Sequence, residues 1–152
     1  MTTIRRAERQ DLPSIIAMLA DDLLGQSREL VVDPPAPEYV SAFERIRADP
    51  NQFLAVIDDD GEVVGTLQLT FIPGLSRRGA LRGLIEAVRI ASSRRGSGFG
   101  QRLIQWAIDE CRNRGCVFVQ LTTDKSRADA HRFYDRLGFE PTHIGYKLNL
   151  GK

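Results

Sequence analysis

The stretch that decides the fold is "RIASSRRGSGFGQRL", Arg89 to Leu103. It opens at the end of "LIEAVRIA", a run of apolar and β-branched residues with strand composition. It passes through small residues and two arginines, Arg94 and Arg95, to three glycines in five positions, Gly96, Gly98 and Gly100. It ends in residues with helical spacing. A strand that runs through glycines into a helix makes an anion site. The first helical N–H groups lack intrahelical partners, and the helix dipole adds about half a positive charge at that end. Glycine lets the backbone approach a ligand closely and adopts dihedrals closed to other residues. Arg94 and Arg95 add forked donors suited to phosphate oxygens. The segment therefore reads as a wrap for a pyrophosphate.

Several nucleotide motifs place glycines at such a turn. A P-loop needs Lys-Ser or Lys-Thr after its last glycine, and neither follows here. The dinucleotide fingerprint is G-x-G-x-x-G. Gln101 stands where its third glycine belongs, and the first acid beyond the next strand, Asp124, comes too late. Both fail on spacing. The plain alternative, a turn with no ligand, leaves the stability cost of three glycines without a return.

Outward from this stretch the chain reads as alternating strands and helices. "TTIRRA" is a first strand. "DLPSIIAMLADDLLG" is a helix with Asp11 as cap, Pro13 in its first turn, Leu12, Ile15, Ile16, Leu19 and Leu23 in register, and Gly25 as stop. "QSRELVVDPPAP" is a proline-rich loop. Pro37 opens a second helix with Val40, Phe43 and Ile46 inward, ending before Pro50. "FLAVIDDDGEVVGTLQLTFI" is two strands around an Asp-Gly turn, with Leu67, Leu69 and Phe71 alternating with Gln68 and Thr70. "PGLSRRGALRG" is a loop before the fourth strand. The helix Gly98 to Arg114 aligns Leu103, Ile104, Ala107, Ile108 and Cys111, and Gly115 follows it. "CVFVQLTT" is a short strand apolar enough for burial on both faces. "SRADAHRFYDRLG" is a helix with Ala130, Phe133, Tyr134 and Leu137 on one stripe. "FEPTHIGYKLNL" supplies a last strand or two. The order β-α-α-β-β-β-α-β-α-β is that of one mixed α/β domain over residues 1–152.

Composition narrows the function classes. At 152 residues and 42% apolar content the chain can bury one core. Its net charge of +1 gives no general case for nucleic acid or an anionic membrane. No apolar run approaches a bilayer span, and "MTTIRRAERQDLP" is too polar for a signal peptide. Cys111 and Cys116 form no disulfide framework and match no zinc pattern; they read as reduced thiols of a cytoplasmic protein with no metal.

Three patterns at consistent separation carry a family resemblance. Arg95-Gly96-Ser97-Gly98-Phe99-Gly100 reads as R-G-x-G-x-G between a strand and an amphipathic helix. "ADAHRFYDRLGFE" places Ala130, Tyr134, Gly138 and Phe139 as A-x-x-x-Y-x-x-x-G-F. "IEAVRI" is a strand carrying a single carboxylate. Together these resemble the GNAT N-acetyltransferase superfamily, specifically from about Gly83 to Glu140 and by element order elsewhere. The resemblance implies a six- or seven-stranded mixed sheet flanked by about four helices, its fourth and fifth strands splayed around the pantetheine arm of acetyl-CoA. It implies that the backbone of Val88, Arg89 and Ile90 pairs with that arm, and that amides of Arg95, Gly96, Ser97, Gly98, Phe99 and Gly100 hold the pyrophosphate.

Acetyl transfer to an amine needs a base, donors for the developing oxyanion, and an acid for the departing thiolate. Strict alternation puts Glu86 on one face with Leu84, Val88 and Ile90. A carboxylate among apolar neighbours has a raised pKa, which suits a base acting directly or through water. The competing reading is an edge glutamate or a salt bridge with an arginine such as Arg89. Tyr134 is the candidate acid, against a core tyrosine on its helix stripe. A backbone N–H at Val88 or its neighbour is the candidate oxyanion donor. Arg127 stands where many members of that family carry an asparagine that touches the cofactor, so it is a candidate contact of a different kind. Ser126 and Asp129 read as helix-cap residues. Gln26, Arg28 and Asp33 fall where that family builds its acceptor wall. His131, His143, Arg77 and Arg78 read as surface residues, and Trp106 as packing at its helix edge.

The expectation is direct transfer from acetyl-CoA to a primary amine of a small molecule or peptide, with no acyl-enzyme, because no Cys or Ser lies in a nucleophile motif. A homodimer is common in that family. The rival readings are a CoA-binding module without turnover and an acyltransferase using another acyl-CoA.

Overall fold

The computed structural model describes residues 1–151. They form two compact units, Met1–Gln120 and the chain from Leu121 onward. In chain order the elements are β1 (Thr2–Arg6), α1 (Leu12–Ala20), α2 (Pro37–Ala48), β2 (Gln52–Asp59), β3 (Glu62–Pro73), the single turn α3 (Ser76–Gly79), β4 (Leu81–Ile90), α4 (Phe99–Asn113), β5 (Phe118–Leu121) and α5 (Ala128–Arg136). The sheet runs β1-β2-β3-β4-β5, with the first four strands antiparallel to their neighbours. The Val117 amide donates to the Leu81 carbonyl at 2.9 Å, joining the start of β5 to the start of β4. Matched starts make the two strands parallel, with α4 as their crossover.

The first unit has three layers, and β2 shows why. Successive side chains of a strand point to opposite faces. Phe53 packs edge-on against Trp106 of α4, with ring centroids 4.8 Å apart. Its neighbour Leu54 turns the other way, into the cluster of Leu12, Ile16 and Phe43 from α1 and α2. The sheet is thus covered by α4 on one side and by α1 and α2 on the other. Val56, Val64, Leu67, Leu69, Phe71, Ile85, Leu103, Ile104, Ala107 and Cys111 are fully buried. The α4 residues among them are four of the five positions of the apolar stripe read from its sequence; the fifth, Ile108, is half-buried. Gly83 marks the closest approach of sheet and helix, since a Cβ there would lie 2.3 Å from Cys111 Sγ.

Local readings gave way where a distant partner competed. Asp11 does not cap α1. Its buried carboxylate accepts from Arg5 Nη1 at 2.8 Å and from the Glu8 amide at 2.7 Å, so the ion pair with β1 takes the cap's place. Helix α1 ends at Ala20, not Gly25, because Asp21 leaves helical geometry and the Asp22 carboxylate accepts the Gly25 amide. Leu23, read as part of the helical stripe, is consequently exposed. Arg77 and Arg78 take left-handed φ values of 54° and 61° in α3.

Among the described residues five strands form where six or seven were implied. In the second unit α5 carries Ala130, Phe133, Tyr134 and Leu137 half-buried, as its spacing predicted. Beyond it, the residues read as a last strand or two form none through Gly151. Ser126 does not cap α5. Its amide and hydroxyl both donate to Asp124 Oδ1, and Arg127 takes the N-cap position.

Candidate functional site

The site is built around the passage from β4 to α4. Register on β3 slips inside this pairing: Gln68 stands opposite Glu86, and Thr66 opposite Arg89. Two steps along β3 match three along β4, so β4 carries one extra residue, a β-bulge. Ala87 holds it with a φ of 54°, in the region that favours glycine. A bulge leaves its extra residue out of the regular ladder and bends the strand locally.

The same bulge corrects the face assigned to Glu86. Up to Glu86 the alternation holds: Gly83 and Ile85 are buried toward α4, while Leu84 and Glu86 face the α1–α2 side. Beyond Ala87 the phase is reset, so Glu86 no longer shares a face with Val88 and Ile90 through simple alternation. Glu86 is exposed, not enclosed by apolar side chains. Its cross-strand neighbourhood is polar. Gln68 Nε2 donates to Gln52 Oε1 at 2.8 Å, and Thr70 Oγ1 donates to the same oxygen at 3.0 Å. Gln52 and Gln68 thus join the candidate site; their outward place in the strand alternation was the available signal.

Arg89 does not pair with Glu86. Its Nε lies 3.2 Å from Asp22 Oδ2, and its Nη1 donates to the Val88 carbonyl at 2.9 Å. Arg95 Nη2 reaches the Asp21 carboxylate at 3.7 Å. The two acids that end α1 therefore hold the two arginines on either side of the 91–94 turn. Arg94 is withdrawn from the anion site. It bridges Asp59 and Glu62 of the β2–β3 hairpin, the latter at 3.0 Å, and these carboxylates hold its guanidinium in the charged form.

The glycine turn has the geometry its sequence suggested. Gly96 and Gly98 have φ of 81° and 85°, and Gly98 is the N-cap of the 15-residue α4. Residues 95–98 are exposed, and no atom lies within 4 Å of a Cβ built at Gly96 or Gly98. Exposed amides, open space and a long helix dipole together fit a diphosphate. The Ser97 hydroxyl donates back to the Arg94 carbonyl, which tightens the turn. A cavity of about 430 Å³ lies beside it, lined by Met18, Asp21, Val31, Ala91 and Ser92. Val31 comes from the proline-rich loop expected to form an acceptor wall. Gln26, Arg28 and Asp33 of that loop are exposed and do not line this cavity, and Arg28 Nε donates to the Leu24 carbonyl at 3.0 Å.

In the second unit, Tyr134 stacks edge-on with Phe133 and Phe139, at centroid distances of 5.1 and 5.8 Å. Gly138 ends α5 with a φ of 93°. Arg127 is exposed; its amide donates to the Asp124 carbonyl at 3.0 Å. Cys111 is buried, and that burial pushes its thiol up to about 12, so it is no nucleophile at neutral pH. Among the described residues no helix is long and apolar enough to cross a membrane.

Comparison with known proteins shows the family and the fold. The family model described as "Acetyltransferase (GNAT) family" matches residues 16–139. The chain is 29% identical over 147 residues to the aminoalkylphosphonate N-acetyltransferase of Salmonella typhimurium, covering 97% of this chain and 90% of that one. A crystal structure from Bacillus halodurans C-125, described as a transcriptional regulator, superposes with a TM-score of 0.96 at 47% identity, over 99% of this chain and all of that one. A predicted acetyltransferase from Clostridium acetobutylicum, solved with acetyl-CoA, shares the fold at a TM-score of 0.75 and 20% identity, over 99% and 97% of the two chains.

Proposed function

Because the chain belongs to the GNAT family of acetyltransferases, we propose that it moves the acetyl group of acetyl-CoA directly onto the primary amine of a small molecule. It is an acetyltransferase by family. The small-molecule acceptor is supported by the Salmonella relative, which by its name acts on aminoalkylphosphonates. The observation that carries the cofactor assignment is the left-handed Gly98 cap on α4, with its exposed amides in open space.

In this reading the amides of Arg95, Gly96, Ser97, Gly98, Phe99 and Gly100 hold the pyrophosphate, with Arg95 beside them. The backbone of Val88, Arg89 and Ile90 pairs with the pantetheine as an added strand would. An amide at the bulge, of Val88 or its neighbour, donates to the oxyanion. Glu86 accepts the proton from the ammonium of the acceptor, through water suited to its exposed position. The amine attacks the thioester carbonyl, the C–S bond breaks, and Tyr134 protonates the leaving thiolate. Arg127 contacts the cofactor in place of an amide side chain. No metal takes part. The working unit is a single domain over residues 1–152 that acts as a homodimer, an assembly supported by its exposed apolar C-terminal residues. A cytoplasmic setting fits the free Cys111 and Cys116 thiols.

The test is release of free CoA thiol in a screen of small amines, amino acids, polyamines, aminoglycosides and peptides. Turnover with a small amine that falls about a hundredfold or more in Glu86→Gln supports the reading. A second reading is a CoA-binding module without turnover; the Bacillus halodurans chain is described as a transcriptional regulator rather than as an enzyme. Saturable CoA binding with no thiol release for any acceptor or acyl-CoA would establish that module instead.

A further inference from the structure

The face of the sheet that carries Glu86 holds a group of polar side chains on its central strands. Register sets Leu54, Gln68 and Glu86 abreast on β2, β3 and β4, and Gln52, Thr70 and Leu84 abreast in the next row of the same face. Leu54 packs into the α1–α2 cluster, so the row runs from the core out to the candidate site. Gln52, Gln68 and Thr70 are half-buried, and the opposite face of β3, with Leu67, Leu69 and Phe71, is fully buried. Polar groups in such a place cost stability unless each finds a partner.

Most of them find one within the row. Gln52 Oε1 accepts from Gln68 Nε2 at 2.8 Å and from Thr70 Oγ1 at 3.0 Å, which uses both lone pairs of that oxygen. The Gln68 amide is thereby clamped to β2 through its nitrogen. Its own oxygen and the Glu86 carboxylate are left without a donor among the described residues. Residues directly opposite on antiparallel strands have Cβ atoms about 4.5–5.5 Å apart, so both side chains can reach one nitrogen. Two neighbouring acceptors call for a ligand rich in donors. A primary ammonium offers three N–H groups, whereas an alcohol offers a single O–H.

We propose that Gln68 Oε1 accepts one N–H of the acceptor's amine while Glu86 faces another through water, and that Gln52 positions the Gln68 amide for this contact. The pair selects an amine over an alcohol and steadies the nitrogen as it gives up its proton. This rests on the acetyl-transfer reading of Glu86 and names the group that binds the acceptor beside it.

The test is steady-state kinetics on the full chain, with the amine of highest kcat/KM in the acceptor screen and each variant's fold checked by circular dichroism. Gln68→Met keeps the length and removes the oxygen; Gln68→Glu keeps an acceptor oxygen. Gln68→Met should lower kcat/KM for the amine about tenfold or more, mainly through KM, with the KM for acetyl-CoA unchanged. Gln68→Glu should recover most of that loss, which a merely space-filling role would not predict. Gln52→Met should weaken the amine severalfold alone and add nothing to Gln68→Met, because it acts through that amide. Native amine kinetics in Gln68→Met, or equal losses in Gln68→Met and Gln68→Glu, would overturn the proposal and leave acetyl transfer standing. Additive losses for Gln52→Met and Gln68→Met would overturn the positioning role of Gln52. Absence of turnover with every amine would overturn the acetyl-transfer reading and this contact together.

Discussion

Asp22 holds Arg89: the carboxylate Oδ2 and the guanidinium Nε lie 3.2 Å apart, both side chains largely shielded from solvent. The bond ties the loop after α1 to the residue that follows the bulge in β4. It braces the strand that leads into the glycine turn. Asp22→Asn keeps the size and removes the charge. The expected outcome is a loss of about 1 kcal/mol of stability by chemical denaturation and a severalfold weaker binding of CoA by calorimetry, with turnover at saturating cofactor little changed.

Gly98 caps α4 with a φ of 85° and faces open space. A β-branched residue there is strained by backbone alone, at a cost on the order of 1–3 kcal/mol. Gly98→Val should still fold, by circular dichroism, yet bind CoA at least about tenfold more weakly as the amides lose their aim. Unchanged affinity would remove the pyrophosphate from this turn.

Tyr134 is assigned the proton that the thiolate takes up. Tyr134→Phe keeps the edge-on ring contacts with Phe133 and Phe139. It should lower kcat by about a hundredfold with little effect on the KM for acetyl-CoA. A thioester with a more acidic leaving thiol should recover much of the loss. Equal loss for both thioesters would assign the tyrosine to packing.

Gly83 leaves room for Cys111, which a Cβ would approach to 2.3 Å. Gly83→Ala should cost about 1–3 kcal/mol by overpacking. Cys111→Ala removes the sulfur from that space, so the double variant should be more stable than the sum of the two single effects predicts. Additive effects in a double-mutant cycle would show that the two positions do not meet.

Asp11 governs behaviour in acid. Burial pushes its carboxyl up, but the Arg5 guanidinium and the Glu8 amide more than offset this, and it lies below the usual carboxylate range. A depressed value stabilises the fold above the unfolded carboxylate pKa, about 3.9. That stability is lost as pH falls from there through the folded value. Asp11→Asn should be less stable than the native chain at neutral pH and lose less on acidification below about pH 4. Parallel pH curves for the two proteins would contradict this.

What could be read from residue order was what depends on neighbours in the chain. The stripe on α4, the stripe on α5 and the β2–β3 hairpin all follow from periodicity, and the glycine turn from dihedral freedom. Departures came from partners far away in sequence. Arg94 is neutralised by Asp59 and Glu62, more than thirty residues earlier, so no local pattern announces that it leaves the anion site. Asp11 prefers Arg5 on β1 to capping its own helix. The bulge sits on an alanine, not a glycine, so Glu86 was given the wrong company. Gln68 looked like an ordinary outward residue until register set it across from Glu86. The C-terminal alternation reads as a last strand or two, but a strand needs a paired neighbour, and among the described residues none forms there.

The added residue at Ala87 has a consequence for how such a protein can change over generations. On the upstream side, Gly83 and Ile85 answer to the packing of α4. On the downstream side, the ribbon starts its count afresh through Val88, Arg89 and Ile90. Substitutions that tune the interior can therefore accumulate in the first portion without rotating the second, and selection for new acceptors can proceed without reopening the interior.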